Sequence, residues 1–374
     1  MFKKLNLSEP LLSVLDKMGY SEPTPIQQKA IPLIFQGKDI FGCAQTGTGK
    51  TAAYILPMLQ KMDNAPKTSK TYVKALILAP TRELALQIDQ NISEYGANLS
   101  IKHTTIFGGV SQVNQVKKLR AGTDIIVATP GRLIDLLQQG VLRLNDVEYF
   151  VLDEADRMLD MGFIGDIKKI ISRLPEKKQT MLFSATAPRE IMSLANSLMQ
   201  NPVNINADIS PAPPLLVQQS VYLVPKDKKR VLLKHVLSQT GKEQTLIFTR
   251  TKRGADRVTR DLVRSGIRAE AIHGDKSQNS RENALKCFKN KSVTVLVATD
   301  IASRGIDIIQ LPHVINFELP EQAETYIHRI GRTGRAGVPG TAISFCCGDE
   351  KPYLQDIQKL IRKNIRVETH PFVA

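Results

Sequence analysis

The segment whose chemistry is most evident is a glycine-rich loop. Ala44-Gln-Thr-Gly-Thr-Gly-Lys-Thr51 follows the apolar stretch Ile40–Cys43 and matches a phosphate-binding loop except at Ala44, where the general pattern has glycine. Glycines let backbone N–H groups approach phosphate oxygens, Lys50 would reach the β- and γ-phosphates, and the Thr51 hydroxyl would bind Mg²⁺. A glycine turn before an ordinary helix is the alternative. The residues predicted to hold the nucleotide are Gln45, Thr46, Gly47, Thr48, Gly49, Lys50 and Thr51.

A group of acidic residues follows a hydrophobic run in Val151-Leu-Asp-Glu-Ala-Asp156. If this run is a strand of a parallel sheet, the carboxylates lie at the edge where ligands bind. Asp153 would hold Mg²⁺ largely through its water shell, and Glu154 would orient and deprotonate the attacking water. Solvated helix caps are the alternative interpretation. Together with the upstream loop, the pattern predicts a nucleoside triphosphatase in which Lys50, Asp153 and Glu154 are catalytic.

The choice of base is predicted from the segment Gly19–Gln27. The amide of Gln27 offers one acceptor and one donor, which matches N6 and N7 of adenine. Tyr20 or Phe2 would stack on the ring, although a lone aromatic such as Tyr20 more often packs against its neighbours. We therefore expect the chain to use ATP with Mg²⁺.

The charge and the length of the chain point to two domains and an anionic partner. The 374 residues carry a net charge of +15. Residues 1–205 hold 24 Lys+Arg against 19 Asp+Glu (+5), and residues 206–374 hold 27 against 17 (+10). Such a surplus favours a polyanion. We find no run of about 18 uncharged apolar residues, no lipidation motif, no signal-peptide core and no zinc or disulfide pattern among the four cysteines. A cytoplasmic protein without a membrane partner is expected.

Short β-branched runs alternate with amphipathic stretches in both halves, which predicts parallel α/β architecture. Domains are expected at 1–205 and 218–374, joined by the proline-rich linker 206–217. The charge run Lys226–Arg230 is interpreted as solvated, with an RNA contact as the alternative. The predicted strands are Ala75–Ala79, Asp124–Ala128, Phe150–Leu152, Thr180–Phe183, Thr245–Thr249, Val293–Ala298, His313–Phe317 and Ala342–Phe345, and the predicted helices include Arg82–Tyr95, Asp256–Ser265 and Ser280–Lys289.

These segments together resemble the DEAD-box RNA helicases, whose name is spelled by Asp153-Glu-Ala-Asp156. The resemblance extends from Phe2 to about Phe345. The other matching motifs, in order, are Gly19–Gln27, Pro80–Leu84, Gly108-Gly109, Thr129–Arg132, Ser184–Thr186, Leu246–Thr251, Gln278–Arg281, Ala298–Asp307 and His328–Arg335.

The resemblance implies two tandem RecA-like domains, each a parallel sheet flanked by helices. It also implies roles for particular residues. Arg332 and Arg335 would be arginine fingers that meet the γ-phosphate, and Asp307 would contact the nucleotide. His328 would join Asp156, Ser184 and Thr186 in a network that couples hydrolysis to strand separation. The implied RNA contacts are Pro80, Thr81, Arg82, Gly109, Thr129, Arg132, Arg250, Gly274, Gln278, Arg281 and Thr299.

The implied activity is RNA-dependent ATP hydrolysis that closes two domains on RNA and locally unwinds a duplex. Backbone contacts with little base specificity are expected, since no stacking aromatics interleave with the RNA residues. An ATP-gated RNA clamp or annealing factor and a DNA helicase are the rivals. The segments Leu311–Pro320 and Thr369–Phe372 look most like the bacterial RhlE-type subgroup, whose members commonly carry a basic tail, so a trimmed core is expected. We also expect a monomer, with ribosome-assembly or RNA-decay proteins as partners.

Overall fold

The structure, a computed structural model, describes residues 2–44, 47–66, 72–206, 216–241, 243–300, 310–334 and 339–372. It divides into two compact units, Met1–Ile209 and Ser210–Ala374. Most of the predicted linker, together with Gln45, Thr46, Asp307 and Arg335, lies outside the described residues.

The first unit is a seven-stranded parallel sheet in the order β3-β4-β2-β5-β6-β1-β7, flanked by helices. A short 3-10 helix at Phe2–Leu5 precedes it. The strands are β1 Ile40–Cys43, β2 Ala75–Leu78, β3 His103–Ile106, β4 Ile125–Ala128, β5 Tyr149–Leu152, β6 Gln179–Ser184 and β7 Val203–Asn206. The helices are α1 Glu9–Lys17, α2 Pro25–Phe35, α3 Lys50–Asp63, α4 Arg82–Tyr95, α5 Val113–Arg120, α6 Pro130–Gln138, α7 Ala155–Asp160, α8 Ile164–Ile171 and α9 Arg189–Leu198.

The core of this unit lies on both faces of the sheet, and the sequence of each central strand shows why. In β2, Ala75 and Ile77 belong to one hydrophobic cluster, whereas Leu76 and Leu78 belong to the other. Strand side chains alternate between faces, so a strand covered by helices on both sides must be apolar throughout. Burial of both faces holds the carboxyl ends of the strands in fixed positions at one edge.

The second unit repeats this design, with a parallel sheet in the order β10-β11-β9-β12-β13-β8-β14. Subtracting seven from each strand number reproduces the order of the first sheet, so the two units share one topology. The strands are β8 Val217–Leu223, β9 Thr245–Thr249, β10 Ala269–Ile272, β11 Val295–Thr299, β12 His313–Asn316, β13 Gly340–Cys346 and β14 Arg366–Glu368. The described helices are α10 Lys229–Gln239, α11 Lys252–Arg264, α12 Gln278–Lys289, α13 Ala323–Ile330 and α14 Lys351–Ile361, with a 3-10 turn at Gly348–Glu350. The predicted fold class, two parallel α/β domains, is confirmed.

The interpretation of Lys226–Arg230 as a solvated charge run is wrong for Lys229. Its side chain is buried, donates to the carbonyl oxygens of Phe317 (2.9 Å) and Phe345 (3.1 Å), and forms an ion pair with the buried Glu350. A buried charge is tolerated only when it is paired and hydrogen-bonded, and both conditions are met here. Lys229 therefore ties α10 to the ends of β12 and β13 and is not available to RNA.

The described residues also bear on the membrane and cysteine expectations. None of the helices in the described ranges is both long and apolar enough to cross a membrane. Cys43, Cys346 and Cys347 are buried free thiols, and Cys287 is half-buried.

Candidate functional site

The carboxyl edge of the first sheet gathers the predicted site residues in two adjacent groups. The loops after β3, β4 and β2, which are neighbours in the sheet, carry the predicted RNA contacts. The loops after β5, β6 and β1, the next three strands, carry the predicted nucleotide and coupling residues. Ligands of parallel sheets bind at this edge, so the strand order itself places the two predicted functions side by side.

The phosphate loop connects β1 to α3 through left-handed glycines. Gly47 and Gly49 have φ values of 84° and 86°, a conformation that side-chain-bearing residues rarely adopt. Lys50 begins α3; its side chain is buried and its Nζ donates to the carbonyl of Ala44 at 2.9 Å. The ammonium group is therefore held against its own loop at the positive end of a helix, where a phosphate would be stabilised.

Gln27 is buried and links the first turn of α2 to the phosphate loop. Its Oε1 accepts from the backbone N–H of Thr24 at 3.0 Å in a capping box, and its Nε2 donates to the carbonyl of Gly49 at 3.2 Å. A Cβ on Gly49 would lie 2.3 Å from Gln27 Nε2, so glycine is required for this approach. The amide keeps one further N–H and one lone pair, and its role in adenine recognition stays a prediction.

The two aromatics predicted to stack on the base differ in exposure. Tyr20 is 42% exposed and meets Tyr95 edge-to-face, with ring centroids 6.4 Å apart. Phe2 is only 5% exposed and packs in the first hydrophobic cluster. Tyr20 has open ring surface for a ligand and Phe2 has little, and neither stacking role is tested by these contacts.

Asp153 is positioned by a residue that the sequence analysis missed. The hydroxyl of Tyr54, a fully buried side chain of α3, donates to Asp153 Oδ2 at 2.9 Å. Asp153 Oδ1 is buried and has no hydrogen-bond partner among the described residues. Burial raises the pKa of Asp153 to about 6, against the opposing charge of Lys50. A buried carboxylate with one oxygen fixed and the other unpartnered is a donor that suits Mg²⁺, so these residues fit the predicted metal.

Glu154 is held in a conformation that few non-glycine residues adopt, with φ 56° and ψ 51° at the start of α7. Its carboxylate forms an ion pair with Arg157, whose Nη1 lies 2.5 Å from Glu154 Oε2, and both side chains are buried. Arg157 was also missed, although a position three residues along a helix from a glutamate predicts such contact. The guanidinium keeps Glu154 oriented.

Asp156 connects the acidic loop to the end of β6. Its Oδ2 accepts from the backbone N–H groups of Ala185 (3.1 Å) and Thr186 (3.0 Å) and from Thr186 Oγ1 (3.0 Å), while Oδ1 accepts from Arg157 N at 3.1 Å. Ser184 is fully buried, and its Oγ has no hydrogen-bond partner among the described residues. Three of the four predicted coupling residues, Asp156, Ser184 and Thr186, are thus brought together.

The predicted RNA residues of the first unit also converge. The guanidinium of Arg82 lies over Gly109, where a Cβ would be 2.1 Å from Arg82 Nη1. Arg132 donates from Nη2 to the carbonyl of Val110 at 3.2 Å, and its buried Nη1 has no partner among the described residues. Thr81 caps α4, accepting from Leu84 N, and Thr129 precedes α6. Two arginines therefore flank one glycine loop, with helix N-termini that favour phosphate beside them. Pro80 lies between β2 and α4.

In the second unit, the predicted RNA residues follow β10, β11 and β9, the strands equivalent to β3, β4 and β2. Gly274 lies beside Lys252, and Thr299 ends β11 and is buried. Gln278 is buried and donates to Glu282 at 2.9 Å, and Arg281 on the same helix is 9% exposed. The guanidinium of Arg250 contacts Glu321 (3.6 Å), Glu350 (3.8 Å) and the Tyr353 ring, so a phosphate would compete with these carboxylates for it.

The basic segment at the end of α13 is more buried than its composition predicts. Arg329 is 1% exposed, binds Asp300 through Nε (2.6 Å) and Nη2 (2.7 Å), and donates from Nη1 to Asn316 and to the Glu318 carbonyl. Arg332 is 5% exposed, and His328 is half-buried on the same helix. Arg329 therefore organises the ends of β11 and β12, which the sequence analysis did not foresee.

Comparisons with known proteins agree with this geometry. A family model described as DEAD/DEAH box helicase matches residues 24–194, and one described as helicase conserved C-terminal domain matches residues 227–337. The chain is similar to the DEAD-box ATP-dependent RNA helicase CshA of Streptococcus pneumoniae, with 45% identity over 365 residues, 98% of this chain and 69% of the relative.

Two solved structures are also similar. One is S. cerevisiae Dbp5 bound to RNA and ADP BeF3, with 30% identity, a TM-score of 0.88, and coverage of 98% of this chain and 94% of that chain. The other is a DEAD box protein from the hyperthermophile Methanococcus jannaschii, with 40% identity, a TM-score of 0.55, and coverage of 98% and 99%. With the motifs, the fold and a relative of 45% identity in agreement, the chain belongs to the DEAD-box ATP-dependent RNA helicases, which are RNA-dependent ATPases.

Proposed function

We propose that the first unit hydrolyses ATP at the carboxyl edge of its sheet, with Lys50 on the phosphates and Glu154 as the base that deprotonates water. Mg²⁺, when bound through Thr51 and Asp153, would neutralise charge that develops on the phosphates. Glu154 is supported as the base by its fixed backbone and by Arg157, whose guanidinium holds the carboxylate in one orientation. The proposal that this edge binds ATP and Mg²⁺ is supported by the position of Lys50 in the phosphate loop and by the buried carboxylate of Asp153.

We further propose that Asp156 and Thr186 transmit the state of the nucleotide to bound RNA. The observation that carries this proposal is the set of three hydrogen bonds that Asp156 Oδ2 accepts from Ala185 and Thr186. A shift of the acidic loop during hydrolysis would move the end of β6 with it, because one carboxylate oxygen accepts all three bonds. Hydrolysis and strand separation would then be linked through one carboxylate.

A matched pair of substitutions tests the coupling. Thr186→Val removes the hydroxyl donor at nearly constant shape, whereas Thr186→Ser keeps it. We expect the valine variant to hydrolyse ATP with RNA but to separate fewer duplexes per ATP consumed, and the serine variant to behave as the parent. The measurement is strand separation and phosphate release on the same samples. An unchanged ratio in the valine variant would remove the proposed link.

The finer assignments are supported by the resemblance alone. Arg332, Arg335 and Asp307 at the nucleotide, His328 in the coupling network, and the second-unit RNA contacts are part of the proposal. So are the domain limits, the cytoplasmic location, the monomeric state, and partners in ribosome assembly or RNA decay. The RhlE-type subgroup stays a prediction, since the relative described above carries the name CshA. Annealing as the main output is distinguished from unwinding by the same strand-separation assay.

A further inference from the structure

Helix α11 carries four exposed arginines on one face: Arg253, Arg257, Arg260 and Arg264. The spacings of four, three and four residues place them within a sector of about 60° on a helix that turns 100° per residue. They extend over about 16 Å along the axis, at 1.5 Å per residue. We call these four residues the arginine stripe. The opposite face, with Ala255, Val258 and Leu262, is buried against the sheet.

The arginine stripe is not neutralised by its neighbours. The two acidic residues of α11 lie on either side of the stripe, and each forms an ion pair with a basic residue from outside the helix. Asp256 Oδ1 lies 2.9 Å from Lys276 Nζ and 3.0 Å from His273 Nε2, and Asp261 lies 2.9 Å from Arg230 Nη1. Within the described ranges, no carboxylate comes within 4.0 Å of the four arginines.

This charge arrangement is unfavourable for the helix by itself. Like charges three or four residues apart destabilise a helix by about 0.2–0.5 kcal/mol per pair. The first turn of α11 contains Arg253 and no acidic residue, so a positive charge also meets the positive end of the helix dipole. A solvated helix surface usually mixes the two signs. A bound polyanion would relieve the repulsion along the entire face.

The position of α11 favours nucleic acid as that polyanion. The helix starts directly after β9, at the sheet edge where Arg250 and Gly274 are predicted to contact RNA. The side chain of Lys252, the first residue of the helix, lies beside Gly274, since its Cε would be 3.5 Å from a Cβ at that position. The stripe leads away from that edge along the outside of the second unit. A guanidinium group can donate two parallel hydrogen bonds to two oxygens of one phosphate, which a lysine ammonium cannot do. A row of arginines is therefore well suited to contacts with an RNA backbone.

We propose that the arginine stripe binds the phosphate backbone of RNA that extends beyond the predicted single-strand site, without reading its sequence. This inference rests on the proposed RNA contacts at the sheet edge. It adds a second, outer RNA surface, which would hold a flanking duplex of a structured substrate. The predicted single-strand site at the sheet edge, which we call the inner site, would act on the strand.

The test compares two variants that each lose four positive charges from the second unit. In the stripe variant, Arg253, Arg257, Arg260 and Arg264 are changed to Gln; in the control variant, the exposed Lys286, Lys351, Arg362 and Lys363 are changed to Gln. The whole 374-residue chain is titrated into two labelled RNAs, a short single strand that fills only the inner site and a duplex with a single-stranded extension. Anisotropy is read at several salt concentrations between 50 and 200 mM.

We expect the stripe variant to bind the short strand as the parent does, within about threefold, and to bind the tailed duplex more weakly. Each lost contact with a duplex phosphate reduces the slope of log affinity against log salt by about 0.9, so up to about 3.6 is lost for four contacts. Over a fourfold change in salt, the parent should then lose up to about 150-fold more affinity than the stripe variant. The control variant should keep the slope of the parent.

Equal slopes for the two variants would overturn the inference, because the arginines would then act only through net charge. An unchanged affinity of the stripe variant for the tailed duplex would also overturn it and leave an acidic protein surface as the fitting ligand. Failure of the unmodified protein to bind the short strand would instead contradict the proposed inner site. Circular dichroism checks folding. If the fourfold variant unfolds, the double variant Arg257→Gln with Arg260→Gln replaces it, and its slope should fall by about half as much as expected for four lost contacts.

Discussion

The hydrogen bond from Tyr54 to Asp153 gives the most quantitative test of the nucleotide site. Tyr54→Phe removes only the hydroxyl, because the ring can keep its contact with Phe183, whose centroid lies 5.3 Å away. A hydrogen bond to a charged group contributes about 1.5–3 kcal/mol, and one between neutral groups about 0.5–1.5 kcal/mol. The cost of the substitution should therefore depend on whether Asp153 is ionised.

The sign of the pH dependence follows from the raised pKa of Asp153. Burial raises this pKa from 3.8 to about 6, against the charge of Lys50, so the folded protein binds the proton more tightly than the unfolded chain. The ionised carboxylate therefore costs about 3 kcal/mol of stability above pH 6, and this cost is relieved as the pH falls from 6 towards 3.8. Tyr54→Phe should cost about 1.5–3 kcal/mol at pH 8 and about half as much at pH 5.

Urea unfolding at both pH values measures this cost. The relevant unfolding transition is the one whose midpoint shifts in the Asp153→Asn variant. That substitution supplies the control, since in its background Tyr54→Phe should cost only the neutral value at either pH. Tyr54→Phe should also raise the Mg²⁺ concentration needed for half-maximal ATP binding, because Asp153 Oδ1 is no longer aimed. An equal cost at both pH values and in both backgrounds would refute the positioning role of Tyr54.

Three further substitutions test the assigned roles. Glu154→Gln should bind ATP and RNA but slow phosphate release by about 10²–10⁴-fold, since the amide cannot accept the proton; near-normal turnover would remove the assignment. Gln27→Ala should narrow the preference for ATP over GTP in competition binding, because guanine presents an acceptor where adenine presents a donor. The reading of adenine fails if the unmodified protein uses GTP equally well. Arg332→Ala should retain nucleotide binding and lose RNA-stimulated hydrolysis by about 10³–10⁵-fold. A loss of nucleotide affinity with unchanged turnover would show instead that Arg332 only binds.

The strands that the sequence predicted and those that it missed differ in their position in the sheet. Central strands such as β2, β5 and β9 are buried at every residue and largely apolar, and each was predicted to within two residues. The edge strands β3, β7, β10 and β14 were all missed, and so were β1 and β8, which lie next to an edge strand in each sheet. β3 alternates buried and half-buried residues and β7 is largely exposed, because an edge strand is covered less completely than a central one. Short half-polar runs of this kind do not stand out from loops.

The site residues divide in a similar way. Lys50, Asp153 and Glu154 were predicted because their types and their positions after strands carry the chemistry. Tyr54 and Arg157 were missed because their importance lies in contacts with Asp153 and Glu154, made within a helical turn or across 99 residues of chain. A hydrogen bond between distant segments has no local signal, even though each partner is visible in the sequence.

Buried charge was the least predictable feature. Lys229 and Arg329 lie in basic segments whose composition is typical of solvated loops, yet each is at most 2% exposed. Their partners, Glu350 and Asp300, are 121 and 29 residues away in sequence. Only the packing of the second unit shows that Lys229 and Arg329 bind groups at the ends of strands. The same packing shows that the arginines of α11 are exposed to solvent.

The most direct test of the central claim is steady-state phosphate release by the unmodified protein with ATP and Mg²⁺, alone and with single-stranded RNA or DNA of the same sequence. An RNA-dependent ATPase with backbone and 2′-hydroxyl contacts predicts slow release alone, strong stimulation by RNA of any sequence, and little stimulation by DNA. Equal stimulation by DNA, or a rate that RNA does not change, would contradict the account.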